Sequence, residues 1–190
     1  MTRTTVVTSA ASGMGPATAK LLRAQGQRVI GLVLRAADVS ADLSNSHGCA
    51  AAIVGLTAAS GGAIDALVHR PGIAQYEPLT MSVNYFGAVA LLEGLLPLLT
   101  KSRATLAVVV TSYAATMTHD QDLAVAAPAG DEARAVMLGA EAGVGNYTAI
   151  KAALASGAAP RRFGPSGRSE ACSSTWSRRA RWRRRLFRTA

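Results

Sequence analysis

Two rhythms of apolar and polar positions alternate along residues 1–155. Short runs rich in β-branched and aliphatic side chains, Thr4-Thr5-Val6-Val7-Thr8, Arg28 to Leu34, Asp65 to His69 and Thr105 to Thr111, have the length and composition of buried strands. Longer stretches between them carry apolar residues at helical spacing: Ala17 to Gln25, His47 to Ala59 and Thr80 to Leu99. In the first of these, Ala17, Leu21 and Leu22 form the expected apolar face, with Lys20 and Arg23 on the other. Strands that alternate with helices predict an α/β domain, a parallel sheet wrapped on both faces. The first strand passes through the small-residue turn Ser9-Ala10-Ala11-Ser12-Gly13-Met14-Gly15 into a helix starting near Pro16. Free amides at that helix start suit a diphosphate, and Gly13 and Gly15 let the backbone come close to it.

A second helix carries the candidate chemistry. Tyr147 and Lys151 stand four residues apart, hence on one helical face, where the ammonium can favour the phenolate and bring the tyrosine toward proton transfer near neutral pH. Taken alone, a tyrosine four residues before a lysine also describes an ordinary solvated face.

The order of these motifs resembles the short-chain dehydrogenase/reductase family, in particular its bacterial 3α-hydroxysteroid dehydrogenase branch, with coniferyl-alcohol dehydrogenases nearby. The family's TGxxxGxG loop falls on Thr8 to Gly15, its Asp-Leu adenine contact on Asp42-Leu43, and its NNAG on His69-Arg70-Pro71-Gly72. Its helix asparagine falls on Asn84, its serine on Ser112 and its YxxxK on Tyr147 and Lys151. The resemblance implies a Rossmann-like doubly wound sheet over residues 1–155 and reversible hydride transfer between a nicotinamide, NAD or NADP, and a small secondary alcohol or ketone. It assigns Tyr147 to the proton on the substrate oxygen, Lys151 to the tyrosine and the nicotinamide ribose, Ser112 to orienting that oxygen, and Asn84 to a water chain. Thr8, Ser9, Ser12, Gly13, Met14, Gly15, Arg35, Asp42, Leu43 and Gly72, with Tyr147 and Lys151, are the expected cofactor contacts; no metal is expected. The 34 residues from 113 to 146 exceed a simple connection and read as the branch's insert, a flap or interface element with a short helix within Ala129 to Gly143.

Departures from the family pattern fall where the cofactor would lie. Ser9 replaces the first loop glycine, and its Cβ is strained if the position needs positive φ. Val33 replaces the acid that binds the adenine ribose, while Arg35 stands two residues on and suits either a 2′-phosphate or an adenine face. His69, Arg70 and Pro71 replace Asn, Asn and Ala. Several of these changes need one base each, the pattern of a decaying gene or of error-prone sequence data.

Charge changes the picture most. The chain has 190 residues and a net charge of +9, yet residues 1–155 are neutral, so the whole excess lies in residues 156–190, which hold ten arginines and one acid. Such an Arg-rich, irregular tail, with Trp176 and Trp182 among the arginines, would suit a polyanion, and a nonenzymatic nucleotide-fold protein binding nucleic acid through it is the alternative reading. A shifted reading frame accounts for it differently, and on that account nucleic acid is not an expected partner. Codons allowed for Trp176 to Arg185, read two bases later, can spell Val-Ala-Pro-Gly-Ala-Val-Glu-Thr-Pro, which resembles the family's PGxxxT segment. Glu170 to Thr175 can likewise give Gly-Val-Leu-Val-Asn-Val, a strand. The sheet is therefore expected to be incomplete at its C-terminal side. The run Leu91 to Leu96 is short and interrupted by Glu93 and Gly94, no signal-like apolar segment opens the chain, and two cysteines do not make a disulfide framework. A cytoplasmic protein off the membrane, free to form homo-oligomers as the family commonly does, is expected. Sequencing the gene tests the frame: an insertion or deletion near codon 156, restored near codon 185, is the expected result, and a clean gene with no insertion or deletion relative to its neighbours contradicts it.

Overall fold

A computed structural model describes residues 2–70, 73 and 78–155. Gly72, Pro71 and the Arg-rich tail lie outside the described residues. Five strands, β1 (Thr4–Thr8), β2 (Arg28–Val33), β3 (Val39–Ser40), β4 (Ala66–His69) and β5 (Leu106–Val109), form one parallel sheet in the order β3-β2-β1-β4-β5. The order reverses at β1, which pairs with β2 on one side and β4 on the other, with Val6 opposite Ile30 and Leu67. That switch opens a crevice at the carboxyl ends of β1 and β4, where open α/β sheets bind ligands.

Alternation along each strand divides the sheet into two faces. Val6, Ile30, Leu32, Leu67, Ala107 and Val109 join the main core, together with α2 (Ser46–Ser60), the helix through Leu99 and α7 (Val144–Ala155). Val7 and Val29 face the other way and meet Ala19 and Leu22 of α1 (Met14–Ala24). Among the described residues α1 alone covers that second face, and β5 pairs with β4 only, so Leu106 is 42% exposed. Among the described residues the parallel sheet therefore ends at β5.

Three local readings need correction. The helix expected from Ala17 begins at Met14, and its buried face is Gly15 and Ala19 rather than Ala17 and Leu21, which is 59% exposed; close approach to β1 selects small residues. The helix expected over Thr80 to Leu99 runs from Pro78 in three parts: α3 (Pro78–Met81), a π-helical turn Ser82–Phe86, and α4 (Gly87–Leu99). Within it Leu79–Leu99 is long and apolar enough to cross a membrane by length and composition, more so than the Leu91 to Leu96 run suggests. It packs instead as the central core helix, with Leu91 and Leu95 fully buried. The 113–146 connection, where a short helix is expected within Ala129 to Gly143, holds that helix and more. It forms a 3-10 turn (Tyr113–Thr116), α5 (Gln121–Ala129) and α6 (Glu132–Glu141), and buries Leu123, Ala126, Ala127 and Ala135 in the main core. Asp120 and Asp131 cap the two helices by accepting the Leu123 and Arg134 amides, at 2.8 and 3.1 Å.

The turn after β1 bears directly on function. Ser9 adopts φ +53°, so the replaced glycine position does require the left-handed region. Its hydroxyl donates to the Arg70 carbonyl at 3.0 Å, which offsets part of a strain of about 1–2 kcal/mol with a bond worth about 1 kcal/mol. Ser9→Ala keeps the strain and loses the bond, whereas Ser9→Gly loses both. Urea unfolding is therefore expected to find Ser9→Ala less stable than Ser9→Gly by about 1–2 kcal/mol; equal midpoints would show that the position is unstrained.

Candidate active site

Residues Thr8 to Gly15 wrap the amino end of α1 around the crevice. The Ser12 and Gly15 amides donate to the Ser9 and Ser12 carbonyls, each at 3.2 Å, which closes the loop on itself. Gly15 lies against the Ser9 carbonyl where a Cβ would collide with it, and Gly13 has φ +57°. The α1 start has no side-chain cap and no acid in its first turn, and the Gly13 and Met14 amides make no hydrogen bond among the described residues. Ser12, Gly13 and Met14 are exposed while Thr8 and Gly15 are buried. This arrangement fits a diphosphate: free amides, the positive end of the helix dipole and a backbone that a ligand can approach.

The end of β4 forms the adjoining wall. Thr8 Oγ1 accepts from the Arg70 amide at 2.8 Å and donates to the Arg70 carbonyl at 3.3 Å, so β1 and β4 are tied where their chains leave the sheet. The Arg70 guanidinium lies over Gly13, with Nη2 2.7 Å from where a Cβ would stand. His69, 1% exposed, has no hydrogen-bond partner among the described residues on either ring nitrogen, and burial, aided by the Lys151 charge, lowers its pKa to about 3. Asn84, fully buried in the π-helical turn, accepts from the Ile73 amide at 3.1 Å and donates to the Ile73 carbonyl at 2.5 Å. It thus clamps the chain just past the β4 exit; π-helical turns of this kind recur at functional sites.

Tyr147 and Lys151 share a face of α7, as their spacing predicts. Tyr147 is half-buried, and Lys151, 3% exposed, places Nζ 5.3 Å from the Tyr147 ring centroid. Burial, then the nearby Arg70 charge, lowers the Lys151 pKa to about 8. α7 packs on the 3-10 turn that follows Ser112. The Ser112 oxygen accepts the Ala114 amide at 3.2 Å, which leaves its proton for another acceptor.

Beyond β3, Asp42-Leu43 is wedged between α2 and the start of α4, its carbonyl oxygens 1.8 and 2.4 Å from where Cβ atoms at Gly48 and Gly87 would stand. Asp42 itself is exposed and caps the Ser44 amide at 2.9 Å; Arg35 is exposed beyond β2. Three groups escaped the sequence reading as site elements. One is Asp38, whose carboxylate accepts the Gly31 amide at 2.7 Å beside Ala10 of the loop. The others are Arg70 and His69, noted only as departures, whose signal was two basic residues at a strand end. Among the described residues no cluster of three His, Cys, Asp or Glu side chains stands close enough to hold a metal ion.

Comparison with known proteins bears on this geometry. No family profile matches the chain. It is 39% identical over 135 residues to a 3-alpha-hydroxysteroid dehydrogenase/carbonyl reductase of Comamonas testosteroni, a match covering 68% of this chain and 52% of that protein. The chain thus spans about half the length of this curated relative. It superposes on the crystal structure of the 3-alpha-hydroxysteroid dehydrogenase from Pseudomonas sp. B-0831 complexed with NADH with a TM-score of 0.75 at 37% identity, over 80% of this chain and 68% of that one. A short-chain dehydrogenase from Streptomyces avermitilis shares the fold, with a TM-score of 0.62 at 22% identity over 81% and 57%.

The buried histidine predicts an acid response. A folded-state pKa below the ordinary value of about 6.5 means that the unfolded chain takes up the proton first, so the His69 contribution is intact above pH 6.5 and is lost as pH falls toward 3. Across that window the native chain is expected to lose stability relative to His69→Gln by up to about 1.4 kcal/mol per pH unit in urea unfolding. Parallel stability curves would contradict it.

Proposed function

The chain belongs to the short-chain dehydrogenase/reductase family, and from that premise we propose that it forms the cofactor-binding and catalytic part of an oxidoreductase interconverting a secondary alcohol, hydroxysteroid-like in kind, and its ketone. One observation carries this reading: a lysine buried to 3% exposure under the tyrosine ring, on a helix packed against the turn that Ser112 leads. The cofactor in this reading is NAD or NADP, held by Thr8, Ser9, Ser12, Gly13, Met14 and Gly15 at the diphosphate and by the Asp42-Leu43 segment at the adenine. A carboxylate at Asp38 beside Ala10 favours the unphosphorylated ribose of NAD, whereas exposed Arg35 is the only nearby cation on β2's exit loop to meet a 2′-phosphate. A cytoplasmic location and a homo-oligomeric assembly belong to the same reading.

When bound, the nicotinamide supplies or accepts the hydride. The Tyr147 hydroxyl delivers the proton to the carbonyl oxygen during reduction and withdraws it during oxidation. Ser112, with its oxygen engaged by the Ala114 amide, donates its own proton to the same substrate oxygen and holds it in line. The Lys151 ammonium stabilises negative charge on the phenolic oxygen, and its pKa of about 8 keeps it largely protonated near neutral pH. Asn84 holds the Ile73 peptide at the crevice wall and orders the water that resupplies the proton.

Tyr147→Phe removes the proton donor and little else. The variant is expected to bind NADH, followed by nicotinamide fluorescence, as the native chain does, while oxidation of a 3α-hydroxysteroid falls by about 10²- to 10⁴-fold. Retained turnover in Tyr147→Phe, or native protein that binds no NADH, overturns the proposal.

A further inference from the structure

The residue pair at the end of β4 carries an inference beyond the family's pattern. Arg70 is anchored by its backbone through Thr8 and Ser9, three hydrogen bonds that leave the side chain to project across the loop. Its Nη2, Cζ and Nη1 stand 2.7, 3.1 and 3.1 Å from the Cβ position of Gly13, so the guanidinium lies against Gly13 at the uncapped start of α1. Among the described residues neither the Arg70 guanidinium nor the Lys151 ammonium has a carboxylate within 4 Å or a hydrogen-bond partner. Lys151 is nevertheless only 3% exposed, and the Arg70 charge is near enough to help lower its pKa.

Like charges gathered in a poorly hydrated crevice, at the positive end of a helix, store unfavourable energy that a bound anion relieves. A planar guanidinium matches two phosphate oxygens at once, which a lysine or an asparagine at this position does not. Resting on the reading that this crevice takes a nicotinamide dinucleotide, we propose that Arg70 is a cofactor-binding residue that clamps the diphosphate against the amides of Gly13 and Met14. The arginine thereby supplies a contact that compensates for the strained serine at position 9 in the same loop. Because the clamp acts on phosphate and not on the base, it separates ligands that carry a diphosphate from those that do not.

Calorimetric titration of the full chain with ADP-ribose and with adenosine tests this. Arg70→Asn is expected to weaken ADP-ribose by about 10- to 100-fold and to leave adenosine unchanged, with Arg70→Lys intermediate, since a point charge replaces the fork. Added salt is expected to weaken ADP-ribose binding less in Arg70→Asn than in the native chain, because one screened charge contact is gone. Unchanged or tighter ADP-ribose binding by Arg70→Asn overturns the proposal, because the side chain would then be inert or would be standing in the ligand's place. Should Arg70→Asn fail to fold by circular dichroism, Arg70→Gln and Arg70→Lys carry the same comparison. A native chain that binds neither ADP-ribose nor NADH overturns the dinucleotide reading itself, a result distinct from failure of the arginine alone.

Discussion

The contact between Gly15 and the Ser9 carbonyl decides where everything else at this site can stand. Any side chain at position 15 would strike that oxygen, so only glycine lets α1 come down onto the end of β1. From that approach follow the free amides of Gly13 and Met14 and the direction of the helix dipole. Thr8, one residue before the turn, uses its hydroxyl to tie Arg70 and hence β4 to the same loop. The topological switch in the sheet makes the crevice, and this single close approach gives the crevice its chemistry.

Electrostatics then sets the terms on which the site exists. His69 and Lys151 are both almost wholly buried, and each has its basicity suppressed, to about 3 and about 8. His69 stays neutral at ordinary pH and so avoids burying a charge, whereas a buried ammonium such as Lys151 is tolerated where function or a ligand repays the cost. Lys151 is kept next to the Tyr147 ring by α7, whose packing on the insert helices α5 and α6 shows what the 113–146 segment contributes. The insert helices join the core, and through that core they fix the helix that carries Tyr147 and Lys151.

Much of this was legible in the chain. Runs such as Thr4 to Thr8 and Asp65 to His69 can hardly be anything but buried strands, and the Tyr147–Lys151 spacing puts both on one face whatever the packing. The conditional reading of Ser9, strained if φ is positive, turned on one dihedral angle that only the folded loop supplies. Other features were hidden for physical reasons. β3 is two residues long and has no pattern of its own; it exists because β2 offers an edge. The face of α1 was misjudged because hydrophobicity favours Leu21, while the geometry of close approach favours Gly15 and Ala19. The π-helical turn leaves no periodic signature, since one displaced hydrogen bond, from Gly87 to the Ser82 carbonyl, defines its end. Arg70 was visible as a departure, but the direction of a long side chain is decided by tertiary packing and not by its neighbours in sequence. Gly72 and the Arg-rich tail lie outside the described residues, so their expected roles stand on the sequence alone.

The central claim is that an anion-bearing dinucleotide rests on the loop between β1 and α1. Amide chemical shifts of the ¹⁵N-labelled chain, followed as ADP-ribose is added, test it most directly. The account predicts saturable shifts that are largest at Gly13, Met14 and Gly15 and that extend to Arg70. Shifts confined to other parts of the chain, with those amides unmoved at saturation, would contradict it.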